Sequence, residues 1–109
     1  MKNNELKTYF DDVITVLSNM NDKTEVFNFL RDLLSEKEIL EFSNRLKVAQ
    51  MLEEKVSYKQ IEEKTKVSST TIARISKFLN WDNKGYKNAI SILKSITEKH
   101  HTGHKLDII

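Results

Sequence analysis

The chain contains no cysteine and no proline, and only two of its 109 residues are glycine. Without cysteine no disulfide can form, and with so few breakers the backbone has little reason to leave a helical path once it has entered one. No apolar run approaches the roughly 20 residues that a membrane-spanning helix needs. The opening MKNNELKTYF lacks the apolar core of a secretory signal, so a soluble, cytoplasmic protein is expected. No glycine-rich phosphate loop, nucleophile elbow or paired-carboxylate arrangement is present, and nothing argues for an enzyme or a cofactor. At 31% charged and 39% hydrophobic residues the chain has the composition of a folded domain, and its length predicts one domain over residues 1–109.

The apolar residues recur with a helical period. Leu6, Phe10, Val13, Ile14 and Leu17 mark a first helix that should end near Asn19 to Asn21. Asp22 with Glu25 reads as a capping box opening a second helix that carries Val26, Phe27, Phe29, Leu30, Leu33 and Leu34. Ser35 with Glu38 reads as another, launching a long helix with Ile39, Phe42, Leu46, Ala49 and Leu52 inward and an end near Glu54 or Lys55. NWDNKGY, residues 80–86, is a polar turn in which Gly85 can take positive φ. A last helix carries Tyr86, Ile90, Leu93 and Ile96, and residues 100–109 form a tail without period. The expected class is all-α with about six helices, whose stripes a chain this short can cover fully only against a second copy.

The segment SYKQIEEKTKVSSTTIARIS, residues 57–76, reads as two short helices joined by a tight turn. Ser57 and Gln60 form a capping box, Ile61 anchors the first helix, and Val67 fills the turn. Ile72, Ile75 and Leu79 then lie on one face of the second helix, which leaves Ser69, Thr70, Ala73 and Lys77 on the other. Short polar side chains on a protruding helix suit a DNA major groove, where the helix must approach closely and bond base edges or phosphates. An ordinary helical hairpin has the same local pattern. Lys66 holds the turn position where glycine is common, and must adopt a left-handed backbone there.

Charge is distributed unevenly. Residues 1–43 carry a net −4, residues 44–77 a net +4 and the remainder +2. The positive excess coincides with the suspected helix-turn-helix at 57–79, as phosphate neutralisation requires, although a solvated charged face would look the same. His100, His101 and His104 have one spacing compatible with zinc, but Gly103 interrupts any helix there and no metal site is expected. Phe78 and Trp81 suit either a base-stacking role or a plug in the core or dimer interface.

The residues LLSEKEILEFSNRLKVAQML (33–52), SYKQIEEKTKVSSTTIARIS (57–76) and FLNWDNKGY (78–86) together resemble the Trp repressor superfamily, and within it the TrpR-like, YerC/YecD-related branch. The resemblance spans roughly residues 10–98. It implies an intertwined homodimer in which residues 5–55 and 84–98 of two chains interlock and the helix-turn-helix units project. It also implies that Tyr58, Lys59, Ser69, Thr70 and Thr71 face DNA. Arg45 and Arg74 stand where the repressor's two corepressor-binding arginines stand, so a small-molecule effector is open. Ile75, however, replaces a glycine, and its branched side chain should fill the space of an indole ring.

The expectation is therefore a homodimeric, sequence-specific regulator of the repressor type, binding double-stranded DNA, whose effector, if it has one, is not tryptophan. Lys59, Lys66, Arg74 and Lys77 would contact phosphates, and Ser69, Thr70 and Thr71 the bases, directly or through water. The alternative is a helical protein-interaction module that does not bind DNA. An RNA binder would need stacking platforms that are scarce here.

Overall fold

In the computed structural model the described residues are 1–99, so the tail 100–109 and its three histidines lie outside them. Among the described residues there are six helices and no strand: α1 (Asn3–Ser18), α2 (Lys23–Leu33), α3 (Glu36–Glu53), α4 (Tyr58–Thr65), α5 (Ser69–Leu79) and α6 (Gly85–Lys99). None is long and apolar enough to cross a membrane. The chain divides into two compact units, one over residues 1–39 and one from Leu40 onward.

The first unit holds α1, α2 and the first turn of α3. Asp22 caps α2 by accepting from the Thr24 N–H at 3.3 Å, so the bond closes on the second helical residue instead of through the expected box with Glu25. The Ser35 and Glu38 box forms in both directions, at 3.1 and 2.9 Å. No residue of α1 or α2 is buried. Val13, Leu17, Val26, Phe29 and Leu30 are half-covered, whereas Leu6, Phe10, Ile14 and Phe27 remain between 41% and 59% exposed.

The second unit owns the core. Val48 and Ala49 of α3, Ile61 of α4, Ile72, Ile75 and Leu79 of α5 and Ile90 of α6 are buried, with Met51, Leu52, Val56, Val67 and Tyr86 packed around them. Burying one such aliphatic side chain fully is worth about 1.5–3 kcal/mol, so the α4–α5 pair is held by packing more than by helix propensity. Val48 was not among the residues expected to face inward. Phe42, which was, stays 46% exposed, because α3 is apolar on more than one side and its period does not single out a face.

α3 stops in a Schellman motif. The Val56 N–H donates to the Met51 carbonyl and the Lys55 N–H to the Leu52 carbonyl, both at 3.0 Å, with Lys55 at φ 66°. At the α5–α6 turn the positive φ falls on Lys84, at 58°, and not on Gly85, which is the first residue of α6. Lys84 closes a turn onto the Trp81 carbonyl at 3.2 Å, and its own carbonyl accepts the first bond of α6 from Asn88 at 2.9 Å. The chain reverses at the residue before the glycine, so Gly85 has only to begin a helix.

Candidate nucleic-acid interface

Serine caps set where the two helices of the motif begin. Ser57 Oγ accepts from the Gln60 N–H at 3.2 Å, which satisfies a donor that the start of α4 leaves unpaired. At the other end Lys66 takes a left-handed backbone, φ 62°, and its N–H donates to the Glu62 carbonyl at 2.8 Å. That geometry costs lysine about 1 kcal/mol relative to glycine. Thr65 stiffens the same turn: its hydroxyl donates to the Ile61 carbonyl at 2.7 Å and accepts from the Val67 N–H at 3.2 Å.

α5 is capped by Ser68, which the sequence reading passed over. Ser68 Oγ accepts from the Thr71 N–H at 3.3 Å and donates to Thr71 Oγ1 at 3.2 Å. A serine directly before the Ile72, Ile75, Leu79 period, with a hydroxyl residue three positions on, was the signal available in the sequence.

α5 has two unlike faces. Ile72, Ile75 and Leu79 are no more than 5% exposed, whereas Ser69, Thr70, Ala73, Arg74 and Lys77 lie in solvent. Thr71 is half-buried with its hydroxyl engaged by the cap, so it flanks the outward face and does not belong to it. Lys66 is exposed at the turn, and Tyr58 and Lys59 are exposed in the first turn of α4. The structure thus gathers Ser69, Thr70, Arg74 and Lys77 on one helix face.

The electrostatics of that face are one-sided. α5 contains no acidic residue, and among the described residues the one ion pair is Lys87 with Glu53, at 3.0 Å between α6 and α3. The Lys87 ammonium, bonded to the Glu53 carboxylate, holds that carboxyl below its ordinary value, with Lys94 and Lys55 adding to the effect. Among the described residues Arg74, Lys59, Lys66 and Lys77 have no carboxylate partner. Arg45 is exposed too, with its guanidinium carbon 5.4 Å from the centroid of the Phe42 ring. Among the described residues no group of three or more acidic or histidine side chains is placed to hold a metal ion. Trp81 meets Phe78 edge to face at 4.6 Å, at the C-terminal end of α5.

Residues 8–94 match the family described as Trp repressor protein. The uncharacterized protein YerC of Bacillus subtilis (strain 168) is 33% identical over 94 residues, which cover 86% of each chain. The crystal structure of a TrpR-like protein from Eubacterium eligens superposes with a TM-score of 0.70 at 32% identity, covering 94% of this chain and 99% of that one. A solved structure from Staphylococcus aureus reaches the same TM-score of 0.70 at 25% identity, covering 96% and 99%. The six-helix architecture is TrpR-like, and the matched family is one of regulators, not of enzymes. On fold, motif and sequence alike, the chain belongs to the Trp repressor family.

Proposed function

We propose that the chain is a homodimeric, sequence-specific DNA-binding regulator of the repressor type, which docks α5 into the major groove at each half-site of a palindrome. The division of α5 carries this reading. Its apolar residues are spent on the core, while its outward face is short, polar and cationic, with Ala73 at the centre offering only a methyl group to a close approach.

On that surface Ser69 and Thr70 reach base edges, and Thr71 acts through water beside the cap. Lys59, Lys66, Arg74 and Lys77 neutralise phosphates, with Tyr58 at the backbone from the first turn of α4. Hydroxyl side chains discriminate bases weakly, so water and duplex shape supply part of the specificity. Ile75 is 3% exposed within the core, which favours an effector other than tryptophan. The exposed apolar side chains of α1, α2 and α3, Phe10, Phe27 and Leu40 among them, support a two-fold assembly with a second copy.

Selection from a random duplex pool tests the function directly. A recovered palindrome supports it, and a pool that stays unenriched moves the reading to the protein-interaction module. Replacing Ser69 and Thr70 together by Glu should abolish binding while the dimer stays folded, since acidic residues suit the first turn of a helix. Unchanged affinity would mean that another face reads the DNA.

A further inference from the structure

Lys55, Lys66 and Lys84 are the non-glycine residues with positive φ among those described, at 66°, 62° and 58°. All three are lysines, and each sits at a different junction of the second unit: α3 to α4, α4 to α5 and α5 to α6. Lys55 is the left-handed residue of a Schellman motif, and Lys66 closes α4 through a single bond to the Glu62 carbonyl. Both are positions where glycine, or failing that asparagine, is the low-strain choice. Backbone preference therefore does not account for lysine at these junctions.

The local sequence repeats as well. Lys55-Val56-Ser57 and Lys66-Val67-Ser68 adopt one arrangement twice: a left-handed lysine, a half-buried valine packed on the core, and a serine that caps the next helix. In each copy the valine and the cap fix the backbone directly after the lysine, whose own side chain stays outside the core. All three lysines are exposed, and among the described residues none forms an ion pair, not even with the adjacent Glu54 or the nearby Asp82. What lysine supplies at these positions, and glycine does not, is a positive charge in solvent, which at Lys55 also acts on the Glu53 carboxylate without pairing with it.

We propose that Lys55 and Lys84 join Lys66 as phosphate contacts, so that the second unit grips the polyanionic duplex from each of its three inter-helix junctions. The inference rests on the DNA-binding reading above and adds two residues to it. Left-handed strain is retained at the junctions because the charge placed there is used.

The test is a salt titration of binding to a labelled mixed-sequence duplex of about 30 base pairs, followed by fluorescence anisotropy between low and moderate salt. The parent is compared with Lys55→Gly, Lys84→Gly and Lys66→Gly, and with the charge-retaining Lys55→Arg and Lys84→Arg. Each loss of a phosphate contact should flatten the log-log slope by about 0.9 and weaken binding about eightfold at 0.1 M salt. The glycine variants should melt no lower than the parent, because glycine relieves the strain, and the arginine variants should keep the parent slope. A slope that falls for Lys66→Gly but stays at the parent value for Lys55→Gly or Lys84→Gly overturns the proposal and leaves the DNA-binding reading standing. A parent whose binding ignores salt overturns that reading itself, before any substitution is considered.

Discussion

Ile61 is the one buried residue of α4, so the position of the first helix of the motif depends on a single side chain. Truncating it to Ala should cost about 2–5 kcal/mol, read as a lower urea midpoint with the slope of the transition unchanged. A loss below about 1 kcal/mol would show that the caps, not the core, hold α4. The Glu53–Lys87 pair gives a second test at this scale. The folded state depresses the Glu53 carboxyl, so its contribution is present above the ordinary carboxylate range and disappears as pH falls through the lowered value. Measured by thermal melting, Glu53→Gln should therefore lower stability near neutral pH and match the parent in acid. An unchanged difference at both ends would mean that the carboxylate is not what stabilises. Residues of this kind differ in how readable they are. Ile61, Ile72, Ile75 and Leu79 could be named from spacing because one face of each short helix is apolar, whereas Val48 could not, since Ile39, Phe42 and Leu46 put apolar residues on the opposite side of its helix.

For whole elements, cap chemistry was the most legible signal. Ser57, Asp22 and Ser35 each cap the helix they were expected to open, because a side-chain oxygen beside unpaired N–H groups leaves few alternatives. The turn at 80–86 was legible as a turn but not in its detail. Composition favoured Gly85 for the reversal, and the chain reverses at Lys84, since a glycine that can take positive φ is not obliged to. The Ser68 cap matters most for function because it sets where α5 begins. Ser68→Ala should cost about 1 kcal/mol by chemical denaturation and raise amide exchange in the first turn of α5. Exchange that rose equally throughout α5 would indicate that the cap steadies the whole helix and not its start.

On the scale of the molecule, the apolar surface of the first unit is the feature that its own sequence cannot cover. Phe10 at 56%, Phe27 at 59% and Leu33 at 48% exposure are more than a solitary 12.8 kDa chain tolerates without cost. Light scattering should return about twice the chain mass, and Phe10→Glu should shift it to the single-chain value. A parent at the single-chain mass would remove the two-fold assembly and with it the palindrome. Family and helix order were legible from the sequence because long motifs at 33–52, 57–76 and 78–86 occur in sequence order.

Trp81 is the chain's single indole, 45% exposed and propped against Phe78 where α5 ends. The molecule therefore carries its own optical label at the foot of the helix assigned to DNA. Its native emission can follow engagement of that helix without any attached dye, and iodide, which quenches only what it can touch, will report whether the ring is shielded when a duplex arrives.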